Sequence, residues 1–229
     1  MSSIHNSNYV KITYPKNNSN YPKLFCEHIF SKYEKGKLLD IGCGNGSLTQ
    51  ELQELGYDVH AVDFSDEPKE LLKDRFTKID FQNDNLPFEN NTFDIVFSKS
   101  VVEHLKEPDK IIKEAYRVLK PGGIIVTLTP SWKHNYDHAF YVDHTHVTPF
   151  TRYSLETLHK LENFVNVDCT YFYQLPIVWK YPKIKYICNL VSFFNFPYRP
   201  LENINWSDNV NKFFRFSKEV MLLCVGNKK

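Results

Sequence analysis

The stretch LLDIGCGNGS, residues 38–47, joins an apolar run to three glycines on alternate positions, Gly42, Gly44 and Gly46, with the acid Asp40 just ahead of them. An apolar strand that feeds glycines into a helix turns backbone N–H groups and a helix N-terminus toward the crevice where open sheets bind ligands. Glycine suits such a turn because a side chain would block close approach and because tight turns demand positive φ. A dinucleotide site of this kind is spaced G-x-G-x-x-G; here the third glycine comes one position early.

Working outward, short runs rich in Val, Ile and Phe recur at 37–42, 58–64, 76–81, 93–98, 123–129, 164–173 and 218–226. Helical patterns separate them. SLTQELQELG spaces Leu48, Leu52 and Leu55 on one face and stops at Gly56; DKIIKEAYRVLKPGG does the same with Ile111, Ile112, Ala115, Val118 and Leu119 before Pro121-Gly122-Gly123. A further helix is expected over 154–162 and a capping helix over 23–33. Strands alternating with helices predict an α/β fold, a doubly wound sheet with helices on both faces. The chain reads as a single domain, 1–229, with residues 1–22 a mobile polar arm. Residues 174–217 carry many aromatics, among them Tyr181, Tyr186, Phe193, Phe196, Tyr198, Trp206 and Phe213, and are too long for an ordinary connection. They are expected to form an inserted cover or pocket wall.

The 229 residues carry 28 basic and 27 acidic side chains, a net charge of +1 that offers no field for tracking a phosphate backbone. Nucleic acid is therefore not expected as a partner. Five scattered cysteines without CxxC spacing fit reduced thiols. No apolar leader opens the chain, and YICNLVSFFNF, residues 186–196, is too short to span a bilayer. A cytoplasmic protein, a monomer or a homodimer, is expected.

With these motifs the chain resembles the class I S-adenosylmethionine-dependent methyltransferases over about residues 37–172. The D-x-G-x-G-x-G turn at Asp40 to Gly46, the strand end AVDFS, Asp80-Phe81, the segment LPFENNTFDIVFS and the pair VVEHL and RVLKPGG follow in the family's order. The resemblance implies a Rossmann-like sheet of order 3-2-1-4-5-7-6 with the last strand antiparallel, and S-adenosyl-L-methionine as cofactor. It implies a cofactor site of Asp40, Gly42, Cys43, Gly44, Gly46, Asp63, Phe64, Asp80, Phe81 and Ser98. In that site Asp63 accepts from the ribose hydroxyls and Asp80 and Phe81 meet the adenine, Asp84 being the alternative to Asp80. Asp40 either contacts ligand or holds the glycine turn, Cys43 is a small filler, and His104 packs beneath the site. Before the sixth strand the related sequences have Gly-Phe where this chain has Asn163-Phe164, and Asn tolerates the left-handed turn.

Methyl transfer from a sulfonium is an in-line displacement in which the protein mainly aligns two reactants, and a base is needed when the acceptor is a hydroxyl. The candidates lie in residues 129–155, which hold His134, His138, His144 and His146 with Asp137 and Asp143. His146 with Asp143 is the first expectation for proton abstraction and His144 the second; His146 could instead anchor the loop. A divalent metal on His138, Asp143, His144 and His146 is considered, but no HExxH-like spacing accompanies them and no metal is assigned. No Asn/Asp-Pro-Pro-Tyr tetrapeptide follows the fourth strand, which argues against nucleobase amines. The reading is a methyltransferase acting on a small-molecule, glycan or lipid-linked acceptor, at oxygen rather than nitrogen. The alternatives are a non-catalytic cofactor-binding partner protein and a nicotinamide-dependent oxidoreductase.

Overall fold

In the computed structural model, which describes residues 20–136, 140–194 and 208–229, the apolar runs become strands β1 (Lys37–Ile41), β2 (Asp58–Asp63), β3 (Phe76–Lys78), β4 (Phe93–Lys99), β5 (Leu119–Pro130), β6 (Val165–Phe172) and β7 (Met221–Asn227). They form one sheet in the order β3-β2-β1-β4-β5-β7-β6. The first five strands pair in parallel, and β7 runs antiparallel to both of its neighbours. The expected topology is met. Strand β5 starts at Leu119, earlier than expected, because Leu119 pairs with Phe93 before a register shift lets the strand continue through Pro121-Gly122-Gly123.

Successive strand residues point to opposite faces, so each central strand feeds two cores. Leu39, Val96 and Ile125 enter one cluster with Ile111, Ile112, Ala115 and Val118 of helix α4 (Pro108–Val118). Leu38, Ile95, Phe97 and Val126 enter the other, with Phe25, Ile29 and Phe30 of helix α1 (Tyr21–Phe30) and Leu52 of helix α2 (Ser47–Glu54). Apolar residues on both sides of these strands are what a parallel sheet covered by helices requires. Helix α3 (Lys69–Leu72) leads toward β3 and α5 (Trp132–Asn135) follows β5. Helix α6 (Arg152–Leu161) starts at a reciprocal capping box between Thr151 and Ser154, two residues before the expected start. After it Asn163 takes the left-handed conformation, φ 69°, that glycine takes in the related pattern.

Helix α1 begins inside the stretch expected as an arm, with Pro22 in its first turn; residues 1–19 lie outside the described residues. The segment 174–217 supplies helices α7 (Pro176–Lys180), α8 (Ile184–Phe193) and α9 (Asp208–Lys218), while Phe196, Tyr198 and Trp206 lie outside the described residues. Part of its aromatic content is packing. Phe213 and Phe216 sit against a small cluster of Tyr173, Leu175, Val178, Cys188 and Val220, and Trp179 stacks on His28 at 4.7 Å. The five cysteines are buried free thiols. No helix among the described residues is long and apolar enough to cross a membrane.

Candidate active site

The turn between β1 and α2 is built on three left-handed glycines, with φ of 77° at Gly42, 58° at Gly44 and 80° at Gly46. Their surroundings differ. A Cβ on Gly42 would lie 2.1 Å from Val101 Cγ2, and one on Gly46 would press on Leu71 at 3.0 Å, so these two are glycine for protein packing. A Cβ on Gly44 would meet nothing within 4 Å and would project into open space. That bare position is where a ligand can come against main chain.

Two buried acids hold this turn. Asp40 accepts a 2.7 Å hydrogen bond from Thr49 Oγ1, tying the end of β1 to the first turn of α2. Burial pushes its carboxyl up to about 7. Asp63, at the end of β2, accepts from the Gly44 N–H at 2.8 Å through one oxygen and from the Ser65 N–H at 2.7 Å through the other. Burial raises it to about 6, against the pull of these amides. A carboxylate oxygen has two lone pairs, so each can still accept from a ligand hydroxyl.

A cavity of about 490 Å³ opens at the C-terminal ends of β1, β2 and β4. Of the expected residues, Gly42, Cys43, Gly44, Asp63, Phe64, Asp80, Phe81 and His144 line it. Asp40, Gly46, Ser98, Asp143 and His146 are not in its wall. Asp80 lines the cavity and Asp84 does not; Asp84 instead accepts from the Asp80 N–H at 2.9 Å. Ser98 is buried within β4 beside Ile41 and Thr127. The wall is completed by residues the sequence reading did not place there, including Tyr21, Asn45, Gln82, Ser100, Val101 and His104. Ser100 carries a signal only in its backbone, φ 58° at a non-glycine residue, the kind of strain that gathers at functional sites. Tyr21 arrives from α1 and its buried hydroxyl has no hydrogen-bond partner among the described residues.

Around the cavity's far end, chain segments distant in sequence converge. Glu103 is completely buried, accepts from Thr129 Oγ1 at 2.9 Å through Oε2, and has no hydrogen-bond partner for Oε1 among the described residues. Burial pushes its carboxyl up to about 7. Its backbone carbonyl accepts from the Val147 and Thr148 N–H groups, which pins the loop carrying the histidines against the turn after β4. His104 Nδ1 lies 2.8 Å from Thr145 Oγ1, which in turn donates to Asp143 at 2.6 Å. His146 Nδ1 is 2.6 Å from the Phe140 carbonyl, and its Nε2 is 3.9 Å from Asp143. Burial lowers the His146 pKa, with Asp143 pulling the other way. Asp137 and His138 lie outside the described residues.

The family model described as a methyltransferase domain matches residues 39–127, the stretch that holds the glycine turn, Asp63, Asp80 and the Glu103-His104 pair. Over these residues the chain matches the methyltransferase domain family. Among relatives, it is 34% identical over 133 residues to a ubiquinone biosynthesis O-methyltransferase of Pelagibacter ubique, covering 55% of this chain and 55% of that protein. It is 28% identical over 122 residues to a sterol 4-C-methyltransferase of Caenorhabditis elegans, covering 48% of this chain and 36% of that protein. The match thus spans about half or less of the length of these relatives. The fold is shared with phosphoethanolamine N-methyltransferase 2 of Haemonchus contortus, solved with phosphomonomethylethanolamine and S-adenosylhomocysteine: TM-score 0.60, 22% identity, 90% of this chain and 52% of that one.

The cavity fits the cofactor of the matched family, S-adenosylmethionine, on its own chemistry. Gly44 leaves room that a Cβ would fill, Asp63 presents a carboxylate one strand over, and Asp80 with Phe81 forms the wall beyond it. Glycine packing and acid placement are both satisfied without a phosphate-binding spacing. The rest of the cavity wall runs through Ser100, Val101, His104 and His144.

Proposed function

We propose that this chain is an S-adenosylmethionine-dependent O-methyltransferase for a small-molecule, glycan or lipid-linked acceptor. The observation that carries it is the pairing of the open Gly44 with the Asp63 carboxylate at one end of a cavity whose other end is lined by His104 and His144. When bound, the cofactor supplies an electrophilic methyl on a sulfonium that leaves as a neutral thioether. Asp63 holds the ribose hydroxyls, each charge-assisted bond being worth about 1.5–3 kcal/mol. Gly42, Cys43 and Gly44 give main-chain contact, and Phe64, Asp80 and Phe81 frame the base. Asp40 acts from behind by fixing the turn to α2, with Gly46 at its helix start and Ser98 supporting the strand end.

For a hydroxyl acceptor the proton must leave as the O–C bond forms, and imidazole suits that task near neutral pH. His144 lines the cavity and takes this role in the proposal. Asp143 and His146 are one layer back and act as positioning residues: Asp143 orients His104 through Thr145, and His146 is tied to the Phe140 carbonyl. The described part of 174–217 bears on the acceptor. Helix α8 leaves Tyr186, Ile187, Leu190 and Phe193 exposed on one stripe, Phe193 by 85%, and Lys180, Lys183 and Lys185 flank it with no acid between residues 174 and 194. Such a face favours an acceptor carried on an apolar anchor over a freely soluble one.

Calorimetry with S-adenosylhomocysteine and NADH, followed by transfer of labelled methyl to glycan and lipid extracts, tests the reading. Binding of S-adenosylhomocysteine that falls at least tenfold in Asp63→Ala, with label recovered on oxygen, is expected. NADH binding without S-adenosylhomocysteine binding would revive the oxidoreductase, and cofactor retention with no transfer to any extract would favour the non-catalytic partner.

A further inference from the structure

Glu103 and His104 end the turn after β4, and His146 comes from a loop some forty residues later, yet one ligand atom from each lies within 4.8 Å of the others. Three features of this cluster are hard to account for as packing alone. First, a fully buried carboxylate oxygen, Glu103 Oε1, has no hydrogen-bond partner among the described residues; the buried Lys99 acts on this carboxyl through its charge alone, and an unmade hydrogen bond there costs about 1–3 kcal/mol. Second, the neighbouring groups fix both imidazoles in one tautomer. The Thr145 hydroxyl has a single proton and donates it to Asp143, so His104 Nδ1 must donate to Thr145. The Phe140 carbonyl can only accept, so His146 Nδ1 donates to it. In a neutral ring each of these bonds leaves the lone pair on Nε2. Third, the bonds themselves, one imidazole N–H to a hydroxyl–carboxylate relay and the other to a backbone carbonyl, are the outer partners that orient metal-bound histidines.

We propose that Glu103, His104 and His146 form a binding site for one first-row divalent cation, of the zinc, iron(II) or manganese(II) kind, at the acceptor end of the cavity. Two imidazoles and one carboxylate suit these ions, whereas magnesium and calcium prefer sites made of oxygen. Metal–ligand bonds of about 2.0–2.2 Å hold their donors about 3–4 Å apart, so small rotations of the two rings close the triad on the ion. Three protein ligands leave coordination positions open, and His104 sits in the cavity wall beside His144 and Thr145. An acceptor oxygen entering there would be held by the cation and made more acidic, while His144, which is not a ligand, remains to take its proton. Neighbouring hydroxyls on one acceptor could chelate such a centre, which makes a vicinal diol or a catechol-like group the ligand class that fits it best.

The site is tested without turnover, so its outcome does not depend on the methyl-transfer reading. Full-length protein stripped with chelator is titrated with Zn²⁺ and Mn²⁺ by calorimetry, with Mg²⁺ as the contrast and S-adenosylhomocysteine binding as the check on folding. One equivalent of Zn²⁺ or Mn²⁺ is expected, with at least tenfold weaker binding in Glu103→Gln and in His146→Gln and unchanged binding in His144→Gln. Loading with Co²⁺ gives a second readout in the unmodified protein, a visible d–d spectrum of imidazole ligation that Zn²⁺ displaces. Wild-type protein that binds S-adenosylhomocysteine but takes up no equivalent of Zn²⁺ or Mn²⁺ would overturn the proposal. So would stoichiometric binding that both triad variants leave unchanged.

Discussion

Gly42 and Gly44 share a left-handed backbone but stand in different surroundings, and substitution separates the two reasons for glycine. Alanine at 42 meets both positive φ and Val101 at 2.1 Å, so Gly42→Ala should lose about 2–4 kcal/mol in urea unfolding. Alanine at 44 has free space on the protein side, so its cost should stay near the ~1–2 kcal/mol of left-handed strain alone. Its methyl would occupy the ligand's approach. Gly44→Ala should therefore weaken S-adenosylhomocysteine binding more than its loss of stability suggests, and wild-type affinity in that variant would show that nothing comes close there. His146 shows the limit of reading at this scale. Asp143 was expected beside it for proton abstraction, with loop anchoring as the alternative; the two lie 3.9 Å apart, and the short bond runs from His146 to the Phe140 carbonyl. Spacing gives the neighbourhood of a side chain and cannot say which main-chain oxygen will claim it.

At the scale of elements, β1 and α2 are joined by one buried bond, Thr49 to Asp40. Burial raises Asp40 to about 7 while the Thr49 bond pulls it down. Removing the donor in Thr49→Val should cost about 1–3 kcal/mol where Asp40 is ionised, and less where it is protonated. Chemical denaturation near pH 8 and near pH 5.5 should then give a larger penalty at the higher pH; equal penalties would mean that Asp40 does not titrate in the folded protein. Helix positions were legible because apolar spacing and stop signals coincide: Leu52 is buried in α2, and Ile111, Ile112, Ala115 and Val118 in α4. The start of α1 was hidden because Tyr21-Pro22 continues a polar, low-complexity run, and its helical state is secured by Phe25, Cys26, Ile29 and Phe30 packing on a sheet formed later in the chain.

For the molecule as a whole, ligand binding and stability are linked through protons. Asp63 is raised to about 6 and Asp40 to about 7 by burial, both above their unfolded values. Such groups contribute stability that is full below the unfolded pKa and is lost as pH rises through the folded pKa. The ligand-free protein should accordingly lose stability between about pH 4 and 7 from these two acids, on the order of 3 kcal/mol from Asp63 and about 4 kcal/mol from Asp40, and Asp63→Asn should flatten part of that slope in thermal or urea unfolding. Cofactor binding runs the other way. Ribose hydroxyls donate best to an ionised Asp63, so affinity for S-adenosylhomocysteine should fall as pH drops through about 6 and be level above 7. Calorimetry across that range checks it, and a flat profile would remove Asp63 from the ribose contact.

Strand order was implied only by the family resemblance, whereas strand positions, helix phases and the identity of the turn were set by local chemistry: short apolar runs between helical patterns, glycines at positions that need φ near 60–80°, and an acid at the end of β2. These can be read in sequence because each depends on residues within a few positions of one another. Tertiary structure alone decided which side chains share the acceptor end of the cavity. Glu103 and His104 meet Thr145 and His146 only because β4 and β5 lie side by side and the loop after β5 folds back onto the Glu103 carbonyl. Contacts across some forty residues leave no periodic trace in the chain, and a buried carboxylate oxygen without a partner becomes visible only when the space around it is closed.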